Sequence, residues 1–297
     1  MSPRPRTVVP VLPTAWTRML ALGATPPRPR LKWHMLRRRR EDPPHLRSNL
    51  RAGLEAGAAL EIDLVLTADR HFVCLHDRDL DRETTGNGPV AAATRAEIAQ
   101  LRQRGADGTA LAEPPLFLDE VVLTAALLRR PDGGLVQLDM KDPPDRLDEA
   151  AVDRLADTLV GTARHFIVGS TDASFLGRLR TAIPDLARGF DPLALYGFGT
   201  AMPDDAAGYT RLVGDMVGLV PDAAIYYLEA DLILAGLRCG VDIVAPARAR
   251  GAAVDAWTVD TTRPAVGDVL GTLVKLRVDQ ITTNEPDALR PLIEEIA

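Results

Sequence analysis

The side chains best suited to chemistry are concentrated between residues 59 and 90. Glu61 and Asp63 lie two residues apart in an apolar run that is typical of a β-strand. Residues i and i+2 of a strand point to the same face, so the two carboxylates would lie together and repel each other. Such carboxylates usually pair with basic side chains or share a divalent cation. The pair alone leaves both interpretations open.

A His-Asp pair strengthens the metal interpretation. His76 and Asp77 end the next strand-like run, 72–76, and the polar turn RETTGNG follows at 82–88. The short polar link 67–71 predicts a hairpin between the two strand-like runs. A hairpin of this kind brings the imidazole to the same end of the structure as the two carboxylates. Together these residues favour a metal site that also carries out proton transfer.

Strand-like and helix-like segments alternate along the rest of the chain. The strand-like segments are 31–35, 59–66, 135–141, 166–170, 187–190, 241–245, 254–259 and 280–284. Such alternation predicts parallel strands joined by right-handed helical crossovers. Eight units in a chain of 297 residues match an α/β fold, the (β/α)8 TIM barrel. The segment 78–115 would then be a small β-hairpin and helical insertion after the second strand.

Polar residues occur where the predicted strands end. In a TIM barrel the chemistry takes place at the carboxyl ends of the strands. In the third predicted strand, Gln137, Asp139 and Lys141 share one face, and the residues between them are apolar. The polar face is therefore expected to point into the barrel mouth. The candidate residues at this end are His34, Glu61, Asp63, His76, Asp139, Lys141, Ser170, Trp257 and Asn284.

A basic segment opens the chain. The first 40 residues contain ten Lys or Arg and no Asp or Glu, although the whole chain has a net charge of −6. We therefore divide the chain into a basic N-terminal arm, 1–30, and a barrel, 31–297. Such an arm suits an acidic surface of the same chain, or weak contact with an anionic membrane surface. It lacks the interleaved aromatic residues of single-strand binders, so no nucleic-acid partner is predicted.

The composition of the chain indicates the kind of cellular compartment to expect. Cys74 and Cys239 are the only cysteines, which excludes a disulfide framework and favours a reducing compartment. The apolar stretch 15–24 is interrupted by Arg18, unlike the core of a secretory signal. No run reaches the roughly 18 apolar residues that a membrane span needs. The expectation is a cytoplasmic enzyme.

Several motifs resemble the glycerophosphodiester phosphodiesterase family. The resemblance is strongest at 54–90, which contains Glu-x-Asp, Thr-x-Asp and His-Asp-x-x-Leu-x-Arg-x-Thr before the Gly-rich turn. It continues at 115–121 and 138–141, and two closing motifs follow at 256–260 and 281–286. It covers roughly residues 31–297 and is weakest in the middle of the chain. The barrel group of this family also contains sphingomyelinase D-like phospholipases.

The resemblance implies roles for individual residues. Glu61 and Asp63 would bind one divalent cation, with Asp139 as the third ligand where the family usually has Glu. His34 and His76 would be the general acid and base, in an order that the sequence leaves open. Lys141 would bind the phosphate, and Trp257 would stack on the glycerol or alkyl portion of the substrate. Hard oxygen ligands without a cysteine cluster favour Mg²⁺ or Ca²⁺.

The chain departs from the family pattern near its first strand. The family motif His-Arg-Gly reads His34-Met35-Leu36, so the arginine that meets the phosphate is missing. Arg37, the first residue of the basic run 37–40, is the expected replacement. The family motif Glu-Asn-Thr reads about Pro44-His45-Leu46, which predicts the loss of another contribution to the mouth. His45 is accordingly interpreted as a surface or loop residue.

The expected activity is metal-dependent hydrolysis of glycerophosphodiesters to glycerol phosphate and an alcohol. One alternative is a phospholipase D that acts on lysophospholipids or sphingomyelin and releases a cyclic phosphate. A lipid substrate needs an apolar rim, which Phe190, Leu193, Tyr196 and Phe198 would supply. The other alternative is a degenerate barrel that binds phosphorylated ligands without catalysis. The substrate is in each case a small-molecule or lipid-derived phosphodiester.

Overall fold

The computed structural model describes residues 28–128, 134–197 and 202–296. In these ranges the chain forms nine strands: β1 (Arg30–Trp33), β2 (Ala59–Leu66), β3 (Phe72–Val73), β4 (Val136–Met140), β5 (Phe166–Ser170), β6 (Ala187–Phe190), β7 (Ile225–Glu229), β8 (Ala253–Trp257) and β9 (Gln280–Thr283). All of them except β3 are parallel neighbours in one sheet, and β1 pairs with both β2 and β9. The sheet is therefore a closed eight-stranded barrel.

Helices connect the strands on the outside of the barrel. The described helices are α1 (Arg47–Ala56), α2 (Arg95–Ile98), α3 (Leu118–Leu128), α4 (Glu149–Thr158), α5 (Ala173–Ala182), α6 (Leu193–Tyr196), α7 (Ala206–Leu219), α8 (Ala230–Arg238), α9 (Ala245–Arg248), α10 (Val266–Lys275) and α11 (Pro286–Ile296). This arrangement confirms the predicted (β/α)8 barrel. None of the described helices is long and apolar enough to cross a membrane.

The predicted hairpin and insertion are present. The strand β3 pairs antiparallel with the end of β2, and the chain from there to α3 contains the short helix α2. The insertion has a small apolar core of its own against this hairpin, formed by Val65, Val73, Leu75, Leu80, Val90, Ile98 and Phe117. This core fixes the insertion over the mouth of the barrel. His76 therefore has a defined position relative to β2.

The prediction for the sixth barrel strand is wrong. That strand is β7, Ile225–Glu229, and residues 241–244 lie between helices α8 and α9. Ile243 and Val244 are buried because they cover the outside of the barrel between those helices. A short apolar run has the same pattern in a buried connection as in a buried strand. The true strand was missed because α8 follows β7 without any loop, so its end was taken as the start of the helix.

The inside of the barrel is apolar at the bottom and polar toward the mouth. The bottom is filled by Leu135, Ile167, Ala187, Ile225, Tyr227 and Ala253. The ring of Tyr227 fits between the strands because Gly169 and Gly189 face it, and a Cβ atom at Gly189 would overlap the ring. Above this layer, Gln137 and Asp255 begin the polar part of the interior. The apolar layer and the polar groups thus lie at opposite ends of the interior.

The basic arm is largely outside the described residues. Residues 28–30 of the predicted arm are described, and Arg30 already belongs to β1. Contact of the remaining arm with a membrane surface, a boundary at residue 30 and a cytoplasmic location stay predictions.

Candidate active site

Three carboxylates converge at the mouth of the barrel. The register of β2 and β4 places Asp63 beside Asp139 and Glu61 beside Gln137. One oxygen atom from each of Glu61, Asp63 and Asp139 lies within 4.8 Å of the others. Glu61 and Asp63 are buried, and the Asp139 side chain is 23% exposed. The structure thus brings together the three residues that were predicted to bind metal.

A lysine lies against this cluster. The Nζ atom of Lys141 is 2.9 Å from Oδ1 of Asp63 and 2.5 Å from Oδ2 of Asp139. Burial opposes ionisation of Asp63, but the ammonium group of Lys141 holds the pKa of that carboxyl well below its usual range. Burial and the neighbouring charges of Asp63 and Asp139 raise the pKa of Glu61 well above its usual value. The neighbouring cations therefore do not neutralise all the negative charge around Glu61.

The donor set fits a divalent cation. Among the described residues, the Asp63 carboxylate has no hydrogen-bond donor in good geometry, although Lys141 forms an ion pair with its Oδ1 atom. Buried carboxylate oxygens with so few donors are costly unless a cation is bound. When all three carboxylates are ionised, they and the one lysine carry two net negative charges, which one divalent ion neutralises. Oxygen donors of this kind suit Mg²⁺ or Ca²⁺.

His34 follows β1 in a short 3-10 turn and reaches the cavity. Its Nδ1 atom is 2.9 Å from Oδ1 of Asn284, and Nδ2 of Asn284 donates to Oδ2 of Asp260 at 2.8 Å. Because the amide nitrogen donates to that carboxylate, the amide oxygen must accept, and Nδ1 of His34 carries the proton. The Nε2 atom of His34 is then an unprotonated base, 4.0 Å from Oε2 of Glu61. Burial lowers the pKa of His34, which favours this neutral form.

His76 has an anionic partner. Its Nδ1 atom is 2.9 Å from Oδ1 of Asp77, and Arg82 contacts the same carboxylate at 2.5 and 2.7 Å. The hydrogen bonds from Arg82 lower the pKa of Asp77 to about 2, so this carboxylate is charged at neutral pH. The Glu83 carboxylate accepts the backbone N–H groups of His76 and Asp77. This network orients the His76 ring with Nδ1 toward Asp77 and leaves Nε2 free.

His45 lies in a turn before α1, as its interpretation as a surface or loop residue allowed, but its side chain is buried beside the carboxylates and not at the surface. It is completely buried, and its Nε2 atom lies 3.2 Å from Oδ2 of Asp63. The backbone N–H of Asp63 donates to the same Nε2 atom, also at 3.2 Å. Pro44 replaces the family glutamate, and His45 stands where the family has asparagine, so this motif still contributes a side chain beside the carboxylates. Its position before a helix and after two prolines was the one available sequence signal.

The first motif adopts an unusual backbone. Met35 and Leu36 have φ angles of 53° and 59°, the left-handed region that favours glycine. Leu36 stands where the family has glycine, and its side chain is buried. The backbone N–H of Met35 donates to Oε2 of Glu61 at 2.6 Å. The strained turn thus aims a backbone donor at one of the three carboxylates.

The arginines that follow this turn lie behind the cavity wall. Arg37 donates to Oδ1 of Asn284 at 3.3 Å and does not line the cavity. Arg38 pairs with Asp287, and Arg40 bonds Thr262 on the outer surface. The structure therefore places Arg37 beside the partner of His34, and contact between Arg37 and substrate stays a prediction.

One cavity of about 950 Å³ joins these groups. It is lined by His34, Glu61, His76, Asp139, Lys141 and Trp257 together with Tyr227, Asp191, Met140, Pro143, Pro144 and Leu193. Phe190 and Tyr196, which were predicted to form an apolar rim, are instead buried in the core. Phe198 lies outside the described residues. Leu193, Met140 and the two prolines form the apolar part of the cavity wall.

Comparison with known proteins identifies the family of the chain. The family model described as "Glycerophosphoryl diester phosphodiesterase family" matches residues 48–288. Two Mycobacterium tuberculosis strains have a relative named "Probable glycerophosphodiester phosphodiesterase 1" that is 43% identical over 60 residues. That match covers 20% of this chain and 22% of the relative, so the chain spans about a fifth of the length of these curated relatives.

Solved structures share the fold. A glycerophosphoryl diester phosphodiesterase from Parabacteroides distasonis has a TM-score of 0.65 at 16% identity and covers 92% of this chain and 88% of its own. An Oleispira antarctica phosphodiesterase, solved with its product sn-glycerol-3-phosphate, has a TM-score of 0.64 at 22% identity, covering 90% and 97%. The Agrobacterium tumefaciens glycerophosphodiester phosphodiesterase has a TM-score of 0.61 at 20% identity, covering 87% and 98%. Because the family model matches residues 48–288, more than half of the chain, the chain belongs to the glycerophosphoryl diester phosphodiesterase family.

Proposed function

We propose that this protein hydrolyses glycerophosphodiesters to glycerol phosphate and an alcohol, using one divalent cation and two histidines. The observation that carries the proposal is the convergence of three carboxylates and two oriented imidazoles in one cavity. Family membership supports the reaction class. The product complex of the Oleispira antarctica neighbour supports a substrate that contains a glycerol phosphate group.

Glu61, Asp63 and Asp139 would hold the cation, Mg²⁺ or Ca²⁺. When bound, the ion would neutralise the phosphate oxygens and stabilise the charge that develops in the transition state. Lys141 lies beside two of the three ligands and lines the cavity, so its ammonium group is suited to bind a phosphate oxygen. Trp257 ends β8 in the same cavity, where its ring can stack on the glycerol or the departing alcohol.

The two histidines differ in the groups that hold them. The Nδ1–H group of His34 faces a neutral amide, and its Nε2 atom presents a lone pair to the cavity. We assign His34 as the base that removes a proton from the attacking water. His76 is backed by the charged Asp77, which stabilises an imidazolium ion. We assign His76 as the acid that protonates the departing alkoxide.

A second candidate substrate is a lysophospholipid. The cavity has a volume of about 950 Å³, and part of its wall is apolar: Met140, Pro143, Pro144 and Leu193. Both features favour a substrate in which one of the two groups esterified to the phosphate is larger than glycerol. In that reaction a hydroxyl group of the substrate would attack the phosphate in place of water, and a cyclic phosphate would form. The same carboxylates and histidines would serve both reactions.

The deciding experiment combines substrates with metals. We would incubate the full-length protein with glycerophosphocholine or lysophosphatidylcholine in the presence of Mg²⁺, Ca²⁺ or a chelator, and identify products by phosphorus NMR. Glycerol phosphate from glycerophosphocholine, formed with a metal and abolished by the chelator, is the expected result. A cyclic phosphate would favour the lysophospholipid reaction. No turnover with any metal would contradict the proposal and favour a barrel that binds without catalysis. The Asp139→Asn variant serves as the inactive control.

A further inference from the structure

A buried ion pair lies below the metal cluster and is used by neither histidine. Lys32 on β1 and Asp255 on β8 are 2% and 0% exposed, and Nζ lies 3.1 Å from Oδ2 of Asp255. The ammonium group also donates to Oε1 of Gln137 and lies 4.5 Å from the centre of the Tyr227 ring. A carboxylate, an amide oxygen and the face of an aromatic ring thus surround the ammonium group, which has three hydrogens to donate.

The ion pair determines which way the Gln137 amide points. Because Oε1 accepts from Lys32, the amide nitrogen must face the other way, and it lies 3.5 Å from Oδ1 of Asp139. Gly169 on the next strand makes room for this pair of groups. A Cβ atom there would lie 2.8 Å from Nε2 of Gln137 and 3.1 Å from Oδ1 of Asp139. The described residues therefore form a continuous chain from Asp255 through Lys32 and Gln137 to Asp139.

Asp139 is the ligand that most needs such support. It is shorter than the glutamate of the family pattern, and it is more exposed than Glu61 and Asp63. Lys141 binds its Oδ2 atom, whereas Gln137 approaches its Oδ1 atom. Groups that contact a metal ligand from behind fix its orientation and raise metal affinity. A carboxylate approached at both oxygens has little freedom to rotate away from the other two ligands.

We propose that Lys32, held by Asp255, positions the metal ligand Asp139 through the amide group of Gln137. This inference rests on the proposed function, because it requires that the three carboxylates bind a cation. Lys32 and Gln137 are positioning residues. A purely structural role for the ion pair would change the stability of the metal-free protein and leave its metal affinity unaltered.

The test is a calorimetric titration of Mn²⁺ into the full-length protein after removal of metal by a chelator. Gln137→Met keeps the size of the side chain and removes the amide that faces Asp139. We expect its Mn²⁺ dissociation constant to rise about tenfold, the lower end of the effect of supporting groups on metal affinity. Gln100→Met is the control. It makes the same substitution at an exposed position that has no place in the chain from Asp255 to Asp139, so we expect a change within about twofold.

A second variant tests the lysine without leaving an unpaired buried charge. Lys32→Met combined with Asp255→Asn removes both charges, and its affinity should fall as much as that of Gln137→Met. Adding Gln137→Met to this pair should weaken Mn²⁺ binding little further, because the residues act along one path. Unchanged affinity in Gln137→Met and in the charge-free pair would overturn this inference alone. Absence of Mn²⁺ binding in the unsubstituted protein would overturn the proposed metal site, and this inference with it.

Discussion

His45 takes the place of a missing strand partner for Asp63. The pairing of β1 with β2 ends at Trp33 and Leu60, so the edge of β2 near Asp63 has no neighbour on that side. The backbone N–H of Asp63 donates to Nε2 of His45 at 3.2 Å, and the backbone N–H of His45 donates to the carbonyl oxygen of Met35 at 2.8 Å. One imidazole therefore continues the hydrogen bonding of the sheet up to the metal cluster.

Replacing His45 should destabilise the protein and disable the site. The His45→Ala variant leaves a void and a buried N–H without an acceptor, which together cost about 2–4 kcal/mol of unfolding free energy. Urea unfolding in the presence of a chelator measures this loss independently of metal. His71→Ala, in the turn of the hairpin, is the control and should change stability by less than about 0.5 kcal/mol. Equal stability of the two variants would show that His45 does not support Asp63.

The proposed catalytic roles of the two histidines should be separable from their contribution to stability. His34→Gln and His76→Gln each remove a proton-transfer group, and each should lower kcat by about 10²–10⁴-fold. Both side chains are partly exposed to the cavity, so the midpoint of thermal unfolding should move by a few degrees at most. Initial rates with glycerophosphocholine and a thermal unfolding curve suffice for both variants. Activity near that of the unsubstituted protein in either one would remove that residue from the mechanism.

The amide of Asn284 should control the tautomer of His34. In the unsubstituted protein the proton belongs on Nδ1, because Asp260 forces the amide oxygen toward the imidazole. In Asn284→Ala the ring loses this partner, and the tautomers should mix. Nitrogen-15 NMR of labelled histidine reports the tautomer directly. We expect kcat to fall about 10–100-fold while KM changes little; a single unchanged tautomer in the variant would contradict the assignment.

Local signals in the sequence predicted much of the scaffold. The bounds of β2, β5 and β6 agree with the predicted segments, and the acids at alternate positions give β2 a distinct pattern. Gly57 ends α1 with a φ angle of 68°, the left-handed conformation that glycine favours after a helix. Thr94 and Glu97 form a capping box, which their residue types and their spacing indicate. Each of these features depends on residues that are close in sequence.

Contacts between distant segments could not be predicted in the same way. The bond from His34 to Asn284 joins residues 250 positions apart, and the role of His45 depends on where β1 stops pairing with β2. The left-handed conformation of His45, with φ of 56°, gives no residue-type signal because histidine is not glycine. The barrel fold determines which residues lie together at the mouth. The hydrogen-bond partners of each of these residues depend on the register of the neighbouring strands.

Asp191 should make the stability of the metal-free protein fall with increasing pH. Asp191 follows β6 and lines the cavity, and burial raises its pKa to about 8. In the unfolded chain the pKa of an aspartate is about 3.9. Between about pH 4 and pH 8 the folded state therefore binds more protons than the unfolded state, and the free energy of unfolding decreases as pH rises.

The Asp191→Asn variant should remove this dependence. It retains a carbonyl oxygen to accept the backbone N–H of Leu193, which donates to Oδ1 at 2.9 Å. The upper limit of the effect is about 1.4 kcal/mol for each pH unit, and the partial exposure of Asp191 to the cavity reduces it.

Urea unfolding at pH 5 and pH 8, with a chelator present, should show that Asp191→Asn gains stability over the unsubstituted protein at pH 8 and much less at pH 5. Asp215→Asn, on the exposed face of α7, is the control and should give a pH dependence parallel to that of the unsubstituted protein. A parallel curve for Asp191→Asn as well would show that this carboxyl group ionises in the folded protein as it does in the unfolded chain.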